Sequence, residues 1–307
     1  YFILTCGGIE TPRLLLASKD KSSSGIGNEH DLVGRYFMQH PKGRHGLVKL
    51  KRRTRVFPFY TRLFETRRVG VTAGVKFSER LQEQDGLLNH RLVFHPIYSL
   101  NEGYASDLYR ALRRVQSHTN GTKGTCAEAL SRLQACPGLT RSELLDVLGA
   151  LTWPASYTVI NHMEQIPDRE SRVFLSREKD EFGQWRLDTN WRISALEKES
   201  LCQLHELTRE AIEGPGIGWF QSNLLANADD WPILQDSAHY LGATRMHRDP
   251  KKGVTNENCR VHGVRNLYAV GSSVFPTGGY ANPTLTILAL SIRLSEHLKA
   301  FDLTRRW

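Results

Sequence analysis

"GGYANPTLTILALSIRLSEHL", Gly278 to Leu298, sets a Gly-rich turn directly before a long apolar run with helical spacing. Pro283 suits the first helical position, where its missing N–H costs nothing and its fixed φ matches the turn. Asn282 is then the expected N-cap, its side chain accepting from the first free backbone N–H groups. A helix start of this kind attracts an anion, because free N–H groups and the positive end of the macrodipole coincide there. Taken alone, it reads as an ordinary buried C-terminal helix with a good cap. The preceding stretch, Asn266 to Val270, has a strand pattern and leads through a loop into the turn, which makes a strand–loop–helix unit.

The other end of the chain carries a similar unit. In "YFILTCGGIETPRLLLAS" (residues 1–18), Tyr1 to Thr5 reads as a buried strand and Cys6-Gly7-Gly8 as a tight turn. Thr11-Pro12 reads as N-cap and first position of a helix running to about Ala17. A strand, a glycine turn and a helix form a βα unit of a parallel sheet, so the chain reads as beginning inside a domain.

Between these ends the patterns change. Strand-like alternation follows "LVGRYFMQHPKGRHGLVKL" and recurs at 68–77, 91–100, 156–165, 171–176 and 184–193. The turn residues of "KDEFG" suit a hairpin between the last two. Residues 104–152 read as helical, with a capping box at Thr140 and Glu143, and a further helix runs from about Leu196 to Glu213, closed by "GPGIG". Gly25-Ile26-Gly27 fails as a dinucleotide fingerprint, since no strand precedes it and no helix follows in register.

Composition narrows the class. The 307 residues are 40% hydrophobic and 24% charged, ordinary globular values for a chain long enough for two folding units. No apolar run reaches the roughly 18 residues that span a bilayer, and a membrane partner is not expected. Five scattered cysteines without CxxC spacing argue against a disulfide framework or zinc site and favour a reducing compartment, the cytoplasm. The net charge of +9 is densest at "KLKRRTRVF" (residues 49–57), which reads as a solvated edge strand. No nucleic-acid motif accompanies it, so that partner is not expected either. His247 and His262 lack the carboxylates or cysteines that would make them metal partners of His239, and no metal is expected.

Three blocks near the end, "SAHYLGATRM" (237–246), "GVTNENCRVHGVRNLYAVGSSVFPTGG" (253–279) and "YANPTLT" (280–286), resemble the C-terminal half of a glucose-methanol-choline (GMC) flavin oxidoreductase. Residues 1–18 and 31–41 share the resemblance, and 164–183 do so more loosely. The family's N-terminal GxGxxG, with the acidic residue that follows it, appears nowhere in the sequence.

The resemblance implies an α/β fold, α+β overall. An incomplete Rossmann-like FAD-binding domain, discontinuous in sequence (1–41 and 231–307), would join a substrate-binding domain (42–230) with a mainly antiparallel sheet flanked by helices. It implies FAD as cofactor and a small alcohol or carbohydrate as substrate, with a sugar or glycoside favoured. It also implies the missing N-terminal half as a partner, in the same chain or as a separate subunit. By motif, His239 would be the base and Asn282 the second polar group of the reaction, which oxidises an alcohol C–OH to a carbonyl with hydride passing to flavin N5. Gly7, Gly8, Gly271, Ser272, Asn282, Pro283 and Thr284 would meet the cofactor, while His40 would be structural and His162 either structural or part of the substrate cavity.

The residue types agree with those roles. Hydride leaves a carbinol carbon only as the hydroxyl proton departs, and a neutral imidazole, with an ordinary pKa of about 6.5, can take it. A carboxamide cannot take a proton, but can donate to the developing alkoxide. The competing expectation is a non-catalytic remnant, or one subunit of a split enzyme, that binds no FAD alone. Without its missing strands, the chain is also expected to expose an apolar sheet edge.

Overall fold

The computed structural model describes residues 1–20, 22–51, 64–66, 69–71, 73–97, 156–226 and 237–304. The expected helical region 104–152 lies outside them, as do Cys126, Cys136 and residues 52–57 of the basic stretch.

Strand β1 (Phe2–Leu4) leads into helix α1 (Gly7–Ala17), followed by β2 (Lys42–Leu50), β3 (Phe64–Thr66) and β4 (Val69–Val71). Next come α2 (Glu79–Asp85), β5 (Arg91–Ile97), β6 (Ser156–His162), β7 (Arg172–Lys179) and β8 (Trp185–Asn190). The long α3 (Ala195–Glu213) precedes β9 (Gly218–Ser222) and the short α4 (Asn223–Ala226). Strand β10 (Leu267–Ala269), a 3-10 turn (Ser272–Val274) and α5 (Thr284–Thr304) complete the described elements. The fold is mixed α/β, with one parallel strand pair and otherwise antiparallel sheets.

The largest sheet has the order β5-β6-β2-β9 and is antiparallel throughout. Alternation puts Val48, Leu50, Tyr157, Val159 and Phe220 on one face, where they pack against Leu201, Leu204 and Ile212 of α3. A capping box starts α3: the Glu197 carboxylate accepts from the Ser194 N–H (2.9 Å), and the Ser194 side chain accepts in return from the Glu197 backbone. The expected edge strand at Lys49 is corrected here. Lys49 and Leu50 end β2, an interior strand between β6 and β9, because Leu50 belongs to the core under the sheet. Strand β9 escaped the periodicity reading, being only five residues long.

The β7–β8 hairpin forms as its turn residues predict, Asp180 and Gly183 closing the bend. It packs on α1, with Val173 against Phe37 and Ala243. A separate core gathers Met38, Leu241, Val261, Tyr268, Val270, Val274, Phe275 and Leu294 around β10 and α5.

Three local expectations are revised. β1 pairs in parallel with β10 as the βα pattern requires, yet Tyr1, Phe2 and Ile3 are 50%, 65% and 45% exposed rather than buried. Among the described residues β10 is the one strand that pairs with β1, so its apolar side chains stand open. Helix α1 begins at Gly7, not at Thr11-Pro12, and Pro12 sits in its middle. Helix α5 begins at Thr284, its first bond running from the Ile287 N–H to the Pro283 carbonyl (3.0 Å). Pro283 therefore occupies the cap, and Asn282 stands one residue outside. The helix is not an ordinary buried one either: Leu285, Leu288 and Ile292 are 79%, 56% and 62% exposed.

Candidate active site

Two glycine-bearing bends leave the C-terminal ends of the parallel pair. β1 ends at Leu4 and Gly7 opens α1, while β10 ends at Ala269 and Gly271 opens the 3-10 turn. Ligands of parallel sheets bind beyond this end of the strands. Gly7 (φ +82) and Gly271 (φ +146) adopt backbone that L side chains avoid, and a β-carbon on either would meet no atom within 4 Å. The space beside them is open, and a flat or phosphate-bearing group can approach the backbone there. These residues fit a dinucleotide cofactor.

Gly8 has the opposite surroundings. A β-carbon there would lie 2.1 Å from the Tyr240 carbonyl oxygen, so the segment bearing His239 rests directly on the first turn of α1. From the other side the Ser272 hydroxyl donates to that same carbonyl (2.6 Å), and the Gly242 N–H donates to the Ser272 carbonyl (3.2 Å). Leu241 and Met38 exchange backbone hydrogen bonds of 2.9 and 3.0 Å. Of the expected cofactor residues, Gly8 and Ser272 thus hold the His239 segment, and the Ser272 hydroxyl proton is already committed to Tyr240.

His239 follows Ala238, which takes a left-handed backbone (φ +54), and is half-buried. Its Nδ1 lies 3.1 Å from Nδ1 of His40, the two rings meeting edge to face at 78°. His40 is anchored in turn, its carbonyl accepting from the Ser237 hydroxyl. Burial, then the neighbouring charge of His239, depresses the His40 pKa to about 4 and keeps that ring neutral. His162 is likewise pushed down to about 4, by burial first and then by Lys42 and Arg91. In the sheet, Lys42 and Arg91 flank His162 on its two neighbouring strands.

The loop into α5 is tied to the large sheet through Glu164. Its carboxylate accepts from the Gly279 N–H (3.2 Å) and from the Asn89 N–H (2.8 Å). Arg91 stacks its guanidinium over Tyr280, 5.8 Å from the ring centre. Asn282 is exposed and makes no hydrogen bond to any described residue; Thr284 is exposed and Pro283 is buried. The structure therefore joins His239 to His40, and joins Gly8 and Ser272 through Tyr240, without bonding Asn282 to any of them. Glu164 is the residue sequence reasoning missed, while His40, expected to be structural, is buried and also meets His239. His40 lies 199 positions from His239, and no local pattern marks such a pair.

Among the described residues no group of three or more His, Cys, Asp or Glu side chains could hold a metal ion. No helix among them is long and apolar enough to cross a membrane.

An open cradle beside two parallel strand ends thus has the segment bearing His239 packed against it. Residues 167–291 match the GMC oxidoreductase family. The chain is 24% identical over 297 residues to the fructose dehydrogenase large subunit of Gluconobacter japonicus, covering 96% of this chain and 46% of that protein. It is 25% identical over 306 residues to the 2-methyl-1,2-propanediol dehydrogenase of Mycolicibacterium austroafricanum, covering 96% and 47%. Pyridoxine 4-oxidase from Mesorbium loti superimposes with a TM-score of 0.48 at 11% identity, covering 96% of this chain and 50% of that one. Over residues 167–291, a segment that contains His239 and Asn282, the chain is thus similar to the GMC oxidoreductase family. It spans about half the length of the curated relatives it matches.

Proposed function

We propose that this chain carries the substrate side of an FAD-dependent oxidoreductase that converts an alcohol CH–OH, of a sugar or glycoside, to a carbonyl. Bound FAD supplies the hydride acceptor. His239 takes the hydroxyl proton, and Asn282 donates its amide N–H to the oxygen as negative charge develops there. Gly7, Gly8, Gly271, Ser272, Pro283 and Thr284 border the cofactor. Residues 1–41 and 231–307 belong to the cofactor unit in this reading, and 42–230 to the substrate-binding unit. The free thiols Cys6, Cys202 and Cys259 suit action in the cytoplasm.

One observation carries the reading: His239 is half-buried on a segment wedged between Gly8 and Ser272, beside the open cradle at Gly7 and Gly271. The fructose dehydrogenase relative favours a carbohydrate over a simple alcohol, and the propanediol relative is the reason to test both.

The test uses the full-length protein, or this chain reconstituted with its N-terminal half. Anaerobic mixing with fructose, glycosides and propanediols should bleach the flavin absorbance, and His239→Ala should slow bleaching by roughly 10²–10⁴-fold. An unchanged rate removes His239 from the mechanism. A preparation that is colourless and takes up no added FAD favours the alternative, a non-catalytic remnant or a split-enzyme subunit.

A further inference from the structure

The face of the large sheet that begins at His40 is basic. The pairing of β2 with β6 continues to Pro41, whose carbonyl accepts from the Met163 N–H (3.1 Å). Alternation along this extended segment puts His40, Lys42 and Arg44 on one side, and His40 touches His239. Across the sheet Lys42 pairs with His162 of β6, which pairs on its other side with Arg91 of β5. Arg44 stands in the next row, opposite Ile160. The intervening His45, Asn161 and Leu92 are buried on the α3 side, so the two faces are distinct.

Three cations therefore share two rows of one face. Among the described residues neither Lys42 nor Arg44 has a carboxylate partner, whereas Arg13, Arg35, Arg172 and Arg209 each have one. Arg91 is held over Tyr280 in the loop that leads to Asn282. The adjoining carboxylate, Glu164, gives one oxygen to the Gly279 N–H and the other to the Asn89 N–H, and its single charge cannot balance three. Like charges so close repel, and a bound anion removes that cost. The field of the row extends to the histidine pair: after burial and the charge of His239, Lys42 also lowers the His40 pKa.

We infer that Lys42, Arg44 and Arg91 form a recognition site for an anionic group on the substrate, which is a polyol or sugar bearing a carboxylate or a phosphate. This rests on the reading of His239 as base, which brings the reacting hydroxyl to the same face. Both anions accept charge-assisted hydrogen bonds from ammonium and guanidinium groups. An extended chain advances about 3.3 Å per residue, so Lys42 lies about 7 Å beyond His40. One monosaccharide can thus meet His239 at one end and the cations at the other.

The test uses the full-length holoenzyme at low ionic strength. Titration calorimetry compares gluconate with sorbitol and glucose 6-phosphate with glucose, each pair differing at the anionic group. At least one anion should bind more tightly than its neutral counterpart by roughly 10–10²-fold, the scale of hydrogen bonds to charged groups, and the margin should shrink as salt rises. The anion with the larger margin tells carboxylate from phosphate. Lys42→Gln and Arg44→Gln should each remove most of that margin, and Arg44→Lys should keep part of it. Arg44 is exposed, so Arg44→Gln carries the comparison should Lys42→Gln fail to fold. Equal affinity for charged and neutral counterparts, or a margin that survives Arg44→Gln in full, overturns the inference. Should His239→Ala leave flavin reduction unchanged, the base reading fails, and calorimetry still decides whether the row binds an anion.

Discussion

The carbonyl oxygen of Tyr240 occupies the space that any β-carbon on Gly8 would need, the two positions lying 2.1 Å apart. The obstacle is backbone, so a side chain cannot swing aside to relieve it. Gly8→Ala is therefore expected to cost about 1–3 kcal/mol, the usual scale of overpacking. Because Tyr240 adjoins His239, the variant should also lose flavin reduction beyond what its lower melting temperature explains. A melt within a degree of the parent would contradict the close approach.

Gly271 offers the converse case. A β-carbon there meets nothing, so sterics do not forbid it, but its φ of +146 does. Gly271→Ala should bind FAD more weakly as well as melt earlier, because the added methyl enters the open cradle. Measuring retained flavin after gel filtration checks this; full retention would place the cofactor elsewhere.

Asn282→Ala should separate activity from stability. Asn282 makes no hydrogen bond to any described residue and does not cap α5, so its loss should change stability by no more than about 0.5 kcal/mol. Flavin reduction should fall nonetheless, if its amide meets the substrate oxygen. Paired melts and stopped-flow traces provide the comparison, and an unaffected rate would dismiss Asn282 from the reaction.

Glu197 predicts a loss of stability away from the site. It is fully buried, and its carboxylate receives the Ile166 N–H (3.1 Å) and the Ser194 N–H (2.9 Å). Glu197→Ala removes half of the capping box and strands these donors, at a cost of roughly 2–4 kcal/mol. Denaturant midpoints of parent and variant test the figure.

Acid should weaken the large sheet before it harms the rest. His45 and His205 both bond Asn161, at 2.6 and 3.0 Å, and His205 also bonds the Ser222 hydroxyl at 2.8 Å. Burial depresses His45 and His90 to about 4 and His205 to about 3, with neighbouring histidine charges adding to the effect on His205. Unfolded, each titrates near 6.5. The unfolded chain therefore binds protons first, so stability is full above about pH 6.5 and falls as pH drops toward 4. Urea midpoints between pH 7 and 4.5 should decline steadily; a flat profile would mean that these rings are not neutral in the fold.

The parts legible in the sequence are those set by neighbours along the chain. The β7–β8 hairpin followed from turn residues around Asp180 and Gly183, and α3 from its helical spacing and its closing "GPGIG". The pairing of β1 with β10 was foreshadowed by two strand–loop–helix patterns at opposite ends of the chain. Helix starts are less legible. At α1 and α5 the sequence pattern puts a proline at the first helical position, whereas the backbone begins α1 at Gly7 and leaves Pro283 as the cap of α5. Local preference gives only a weak bias at such a terminus, and packing of Gly8 on Tyr240 outweighs it.

By itself the sequence determined local elements such as α3 and the β7–β8 hairpin, and which residue types, an imidazole and a carboxamide, stand ready for proton chemistry. Only tertiary structure decided that His239 meets His40 across 199 positions, that Gly8 supports it from beneath, and that Glu164 ties the Asn282 loop to the far sheet. Periodicity records what each residue does to its own backbone. Contacts between distant segments depend on which faces the folded core brings together, and nothing in the spacing of residues along the chain encodes them.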